Sequence, residues 1–379
     1  MRILLTGGGT GGHLFPLLAV IRELKKPEFN QKIIELNPAE GLKILFLGPK
    51  TIGEDLLKQE KIQIKHVMSG KLRRYASIKN LIDIFKLPLG IICALWHIFL
   101  FMPDVVFSKG GYGSIPAIVT ARIYRIPVLI HESDTIPGLA NKKMARFAKR
   151  IAVSFNSTLK FYPDKKIALI GNPVREQILA GSKEEAKKIF NLPFNKPVIL
   201  VIGGSQGAAA INKFIAGTIL DLTKKYAIIH QCGQNNIADV EKEIKDTFGK
   251  EIKNIESYCL IPFLDETQMK HALAAADLVI SRAGSGSIFE VAACGKPSIL
   301  IPLPGSAADH QKENAYEYAK TGAALVLEQA NLTPHLLISE ISSLLDNPET
   351  LIKMSQAAKS FAKLDAAQKI AEELINLAK

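Results

Sequence analysis

The chain has 379 residues, 47% of them apolar and 22% charged, the balance of an ordinary globular protein long enough for two domains with sizeable cores. Its four cysteines (Cys93, Cys232, Cys259 and Cys294) are scattered, with no pair at metal-ligand spacing, so they read as buried free thiols in a reducing compartment. The net charge of +12 is uneven: residues 1–170 carry 26 basic against 12 acidic side chains, residues 171–379 carry 22 against 24. An excess confined to one half calls for an anionic partner, either nucleic acid or a phospholipid surface.

The amino terminus is an immediate strand-like run without the form of a signal peptide, which predicts a cytoplasmic location. Short continuous apolar runs follow at 2–6, 44–47, 62–67, 104–107, 128–130 and 151–153, and again at 198–202, 227–231, 277–281 and 298–301. Continuous rather than alternating runs suit parallel strands covered on both faces. Helical stretches between them predict doubly wound α/β domains. Turn signals at both ends of 171–197 place a boundary there, giving domains at 1–170 and 171–379, with the last helix free to pack back on the first domain.

The first strand enters Leu4-Leu5-Thr6-Gly7-Gly8-Gly9-Thr10-Gly11-Gly12-His13-Leu14-Phe15-Pro16, five glycines in six residues and then a histidine. A dinucleotide fingerprint matches almost automatically in such a tract. A P-loop fails for want of a lysine, since His13 occupies its place. What remains is physical: amides at a helix start can receive an anion, or bare backbone can let a bulky ligand sit close. His13, at the edge of that loop, is a candidate functional side chain.

From 61 to 82 there are six basic residues (Lys61, Lys65, Lys71, Arg73, Arg74 and Lys79) and no acidic one. The apolar stretch 81–102 follows, interrupted by Asp83, Lys86, Pro88, Gly90 and His97, with His97 assigned to packing. Its uninterrupted part is too short to span a bilayer. Lys142, Lys143, Arg146, Lys149 and Arg150 add a second basic cluster. Apolar side chains beside basic clusters predict docking on an anionic leaflet without a transmembrane helix. At 198–208 a second strand runs into Gly203-Gly204-Ser205-Gln206-Gly207-Ala208 and a helix, so two Rossmann-like domains facing each other across a cleft are expected.

Gly8 through Pro16 resembles the amino-terminal signature of the MurG family, bacterial UDP-N-acetylglucosamine–N-acetylmuramyl-(pentapeptide) pyrophosphoryl-undecaprenol N-acetylglucosamine transferases. Further matches come in the family's order: Gly110-Gly111-Tyr112-Gly113-Ser114, His131-Glu132-Ser133-Asp134, Gly171-Asn172-Pro173-Val174-Arg175, the second glycine loop, Arg282-Ala283-Gly284-Ser285 with Glu290, and Asp309-His310-Gln311 with Asn314. The resemblance implies a GT-B fold and an inverting transfer of N-acetylglucosamine from UDP-N-acetylglucosamine to the 4-hydroxyl of undecaprenyl-pyrophosphoryl-N-acetylmuramyl-pentapeptide.

It also implies residue roles. Thr10, Gly11 and Gly12 would line the donor sugar and diphosphate, with Arg175 and Ser205 at the UDP moiety. The Leu264 main chain would read the uracil edge, Ser285 would start the helix over the diphosphate, Glu290 would hold the ribose and Gln311 the sugar hydroxyls. Tyr112, His131 and Glu132 would lie on the acceptor side, and His13 would be the general base, its ordinary pKa of about 6.5 suiting that task. Asp134, which stands where some members have asparagine, is given no role, and 27–41 reads as a surface insertion. No prosthetic group is implied, and no divalent metal is expected to be essential. Expected partners are the two substrates, anionic inner-leaflet phospholipid and other cell-wall synthesis proteins, at the cytoplasmic face of the membrane. A diacylglycerol glycosyltransferase is the nearer alternative. A basic nucleic-acid-binding protein is the distant one, and it lacks the interleaved aromatics such a surface needs.

Overall fold

The computed structural model describes residues 1–8, 11–36, 38, 41–51, 53–70, 78–193, 195–204, 207–249 and 257–379, in two compact units. The first comprises Met1–Val174 and Lys363–Lys379, the second Arg175–Ala362. Each is built on one parallel sheet. In the first unit β1 (Arg2–Thr6), β2 (Lys43–Gly48), β3 (Gln63–His66), β4 (Val105–Ser108), β5 (Val128–Glu132), β6 (Arg150–Val153) and β7 (Ile167–Leu169) lie in the order β3-β2-β1-β4-β5-β6-β7. In the second, β8 (Val198–Ile202), β9 (Ala227–Gln231), β10 (Tyr258–Ile261), β11 (Leu278–Ser281), β12 (Ser298–Leu300) and β13 (Ala324–Val326) lie in the order β10-β9-β8-β11-β12-β13. Both sheets grow outward from their first strand and then reverse on its other side, the doubly wound order of Rossmann-like domains.

The alternation of side chains along a strand explains the two layers of helices. Ile3 and Leu5 of β1 join a core with Leu17 and Ile21 of the helix Gly11–Leu24. Leu4 points the other way, into a core with Ile98 of the helix Ile78–Phe101 and Ile118 of the helix Ile115–Ile123. The strands read from apolar runs are all present. Those passed over, β7, β10 and β13, are edge strands of three or four residues and are only partly buried. Their segments, 167–170, 258–261 and 323–327, are continuously apolar but no more than five residues long.

Two segments differ from expectation or extend it. The stretch read as a surface insertion contains the helix Pro27–Leu36, whose Phe29 and Ile33 are buried in the first core. One face of this helix is thus part of the core and the other is exposed. The carboxy-terminal helix Ala366–Leu377 belongs to the first unit and packs on the helix Gly11–Leu24, burying Ile370, Leu374 and Ile375. Among the described residues no helix is long and apolar enough to cross a membrane.

The returning helix is therefore a structural part of the first unit. Leu374→Ala removes a fully buried leucine from its core and is expected to destabilise the protein by about 2–5 kcal/mol. Urea denaturation followed by circular dichroism measures this; a loss under about 1 kcal/mol would show that the helix is only loosely docked.

Candidate active site

In doubly wound sheets, ligands bind beyond the carboxyl ends of the strands where the strand order reverses. In the first unit that point lies between β1 and β4, whose ends run into Gly7-Gly8 and Lys109-Gly110-Gly111. Gly111 has φ +79°, and a Cβ placed on it would sit 2.9 Å from the Gly8 Cα. A Cβ on Gly8 would sit 3.2 Å from the Gly111 Cα. The loops thus meet backbone to backbone, and a side chain on either would force them apart.

His13, the third residue of its helix, lies against this contact. The two Cβ positions just described fall 3.5 and 3.4 Å from its Nε2. Its Nδ1 is 3.2 Å from the Lys109 carbonyl oxygen. A carbonyl only accepts, so Nδ1 carries the proton and Nε2 keeps its lone pair. That is the tautomer a general base requires, with the free nitrogen bordered by two bare glycines.

Behind this ring the chain builds a buried polar network. The Lys109 side chain is 1% exposed. Its Nζ donates to His131 Nδ1 at 2.6 Å and to Asn172 Oδ1 at 3.0 Å. His131 Nε2 donates to the Gly171 carbonyl at 2.8 Å. Glu132 accepts from Asn141 Nδ2 at 2.8 Å and from the amides of Gly138 and Asp134 at 3.0 and 3.1 Å. Burial pushes the Glu132 carboxyl up and holds His131 neutral, the latter helped by Lys109. It also pulls the Lys109 ammonium down, against the charges of Glu132 and Asp134.

His13 departs from expectation. Its pKa is lowered to about 4, first by burial and then by the charge of Lys109, with Asp134 and the Lys109 carbonyl opposing. Although the residue keeps some exposure at the loop mouth, the ring is surrounded by protein and stands near a buried ammonium. Both disfavour imidazolium. The ordinary value of about 6.5 expected from sequence is thereby corrected. Tyr112 follows Gly111 in a short 3₁₀ turn, half-exposed.

The second unit reverses between β8 and β11. After β8, Gly207 has φ +76°, and a Cβ there would meet the Cys232 carbonyl oxygen at 2.0 Å. The side-chain amides of Asn212 and Asn236 both donate to that carbonyl at 2.8 Å. After β11, Arg282 donates to the carbonyls of Ile301 and Pro302 at 3.0 and 3.2 Å and to Gln329 at 2.8 Å. Asn314 donates to the Ala283 carbonyl at 3.2 Å. These bonds hold the turn before the helix Ser285–Ala293, and a Cβ on Gly284 or Gly286 would meet nothing within 4 Å. The amides of this helix start therefore border open space and present a site suited to an anion.

Further along the same helix, Glu290 Oε1 accepts from Nε and Nη2 of Arg175 at 3.0 and 2.7 Å. Arg175 Nη1 donates to Glu266 at 3.1 Å. Burial disfavours the guanidinium, but the two carboxylates outweigh it and raise its pKa. Leu264 has a buried side chain and directly precedes Asp265, which caps the helix Glu266–Ala275. Gln311 Oε1 accepts from the Leu303 amide at 3.1 Å.

The chain matches known proteins along nearly its whole length. Residues 3–153 match the glycosyltransferase family 28 N-terminal domain, and residues 198–370 its C-terminal domain. A UDP-N-acetylglucosamine–N-acetylmuramyl-(pentapeptide) pyrophosphoryl-undecaprenol N-acetylglucosamine transferase of Clostridium tetani is 38% identical over 93% of this chain and 92% of its own length. One of the same name from Clostridium kluyveri is 38% identical over 97% of each. The crystal structure of Acinetobacter baumannii MurG is similar with a TM-score of 0.72 and 28% identity, over 98% of both chains.

The chain belongs to the MurG family of glycosyltransferases. Its fold is that of the GT-B glycosyltransferases. Of the positions expected from MurG resemblance, Thr10 and Ser205 lie outside the described residues, as do Lys71, Arg73 and Arg74 of the basic stretch. Gly11 and Gly12 open the first helix. His13, His131 and Glu132 are gathered around Lys109, and Arg175 meets Glu290, whereas Leu264, Ser285 and Gln311 sit on separate segments of the second unit. Among the described residues no group of three or more His, Cys, Asp or Glu side chains is placed to hold a metal ion.

Sequence reasoning missed Lys109, Asn141 and Glu266. Lys109 directly precedes the glycine pair that carries the MurG resemblance, and its position at a strand end was the available signal. Asn141 and Glu266 had none, because their importance lies in contacts nine and 91 residues away in the chain.

The Arg175–Glu290 pair gives a test. Removing one partner leaves a buried charge uncompensated, which costs about 3–5 kcal/mol in such pairs. Arg175→Ala and Glu290→Ala should each destabilise the protein, and the double variant by clearly less than their sum. Additive losses in thermal or urea unfolding would rule out coupling between the two side chains.

Proposed function

We propose that this chain transfers N-acetylglucosamine from UDP-N-acetylglucosamine to the 4-hydroxyl of undecaprenyl-pyrophosphoryl-N-acetylmuramyl-pentapeptide, with inversion at the anomeric carbon. The full-length similarity to enzymes bearing that name supports the reading. The observation that carries the chemistry is His13, whose proton is committed to a carbonyl and whose Nε2 is free at a strand-end loop. The first unit holds the acceptor, with Tyr112, His131 and Glu132 on that side. The acceptor oxygen bonds to C1 as the bond from C1 to the UDP oxygen breaks, and the hydroxyl proton passes to His13 Nε2. The second unit holds the donor: the amides at Ser285 and the charge of Arg175 stabilise the departing diphosphate, a role that does not call for a divalent metal. Glu290, oriented by Arg175, takes the ribose hydroxyls; the Leu264 main chain takes the uracil, and Gln311 the sugar. Thr10, Gly11, Gly12 and Ser205 complete the donor contacts.

Radiolabelled donor should label lipid-linked muramyl-pentapeptide and not diacylglycerol; the reverse would identify the alternative lipid glycosyltransferase. The free enzyme's kcat/KM should fall as pH drops through about 4, where His13 takes up a proton. In kcat the acid limb should lie at higher pH, because bound anionic diphosphate favours imidazolium. His13→Ala should lower turnover roughly a hundred-fold and abolish that limb. Were the limb to persist in the variant, the base would be another group.

The first unit also carries the features of a lipid-docking surface, and we assign it to an anionic leaflet at the cytoplasmic face of the membrane. On the helix Ile78–Phe101, Ala94 and Ile98 are buried while Leu89, Ile92, Trp96 and Phe99 form an exposed stripe at spacings of three and four. That helix packs on Ile115–Ile123, which packs on Leu139–Met144. Lys142, Lys143, Arg146 and Lys149 are exposed there and just beyond, whereas Arg150 donates to Glu373 of the carboxy-terminal helix. Apolar side chains and basic charge thus lie on the same side of one sheet, a pairing that binds anionic bilayers. Trp96 is the sole tryptophan and is 63% exposed, so its emission should shift to the blue with vesicles of anionic phospholipid. The shift should reverse as salt rises. An equal shift with neutral vesicles would remove the electrostatic part of the assignment.

A further inference from the structure

Lys109 is the least expected side chain in the molecule. A lysine loses its hydration when buried and is almost never fully buried unless paired. Here it lies at the end of β4, 1% exposed, with Nζ directed to one ring nitrogen and one amide oxygen. No described carboxylate forms a salt bridge with it, and Glu132 and Asp134 act on it only through their charge. The same residue offers its backbone carbonyl to His13. One residue therefore touches the proposed base through its main chain and the acceptor-side histidine through its side chain.

The hydrogen-bond directions are set by acceptors that cannot donate. The Gly171 carbonyl requires the His131 proton on Nε2, which leaves Nδ1 to accept from Lys109. Asn172 Oδ1 accepts a second Lys109 proton. With its ammonium fixed at both points, the Lys109 main chain is fixed as well, and so is the carbonyl that orients His13. We propose that Lys109 is a positioning residue for the transfer, a buried cation that locks the His13 ring and its tautomer so that Nε2 faces the acceptor hydroxyl without a proton. The charged groups that act on His13 are Lys109 at the end of β4, against imidazolium, and Asp134 beyond β5, in its favour.

This inference rests on the transferase reading, and the two can fail separately. If the wild-type protein transfers no sugar, that reading falls; His13 titration, followed by NMR of the imidazole ring, judges Lys109 whatever the activity. In K109M the His13 midpoint should rise from about 4 by about one pH unit. The acid limb of kcat/KM should move with it, with kcat down about tenfold and KM for UDP-N-acetylglucosamine within about threefold of wild type. A K109M protein that is merely less stable, with His13 titrating as in wild type, would overturn the proposal. K109Q, also uncharged, serves the same comparison should K109M not fold. In wild type, nitrogen-15 spectra should show His131 protonated on Nε2 and bare on Nδ1 at neutral pH; a protonated Nδ1 would overturn the proposal without any variant.

Discussion

The first unit depends on a contact that only glycine permits. The loop leaving β1 and the loop leaving β4 meet through Gly8 and Gly111, where an added methyl group would lie 2.9 to 3.2 Å from the opposing Cα. Parallel neighbouring strands must end side by side, and side chains on their loops would ordinarily hold those loops apart. Removing the side chains lets the Lys109 carbonyl reach the His13 ring. It also leaves the other ring nitrogen beside bare backbone rather than under a side chain. The glycine tract is therefore less a cradle for one ligand than a means of bringing two strand ends together around an imidazole.

The two units share a topology but apply it to different electrostatic tasks. Each places a cation in the protein interior, and the manner of compensation differs. Arg175 is paired directly, through its planar fork, with Glu290 and Glu266. Such a pair fixes the geometry of its members. Lys109 instead donates to neutral groups, and its countercharges stand further off. A cation compensated in this looser way still projects its field onto neighbours, and His13 is the neighbour that registers it.

A base whose pKa lies well below neutrality is proton-free under working conditions but weak in the empty protein. In the proposed transfer, negative charge near the ring would favour the imidazolium that forms as the hydroxyl loses its proton. The strength of the base would thus be coupled to the presence of substrate. In the empty protein, burial and Lys109 keep the ring from being neutralised as a base by stray protonation.

Much of this was legible in the sequence because it depends on local pattern. Continuous apolar runs marked the covered strands, and Gly-rich stretches after β1, β4, β8 and β11 marked the strand ends at both reversal points. Ordered motifs pointed to the family. Edge strands β7, β10 and β13 were passed over although 167–170, 258–261 and 323–327 are continuously apolar. Only the tertiary structure could show that Lys109 lies inside with His131 and Asn172, that Arg175 closes on Glu290 115 residues later, and that His13 is held neutral well below its ordinary range. Burial and through-space charge are properties of neighbours brought together from distant parts of the chain. A residue's identity sets what it can ionise to, and the fold decides whether it does.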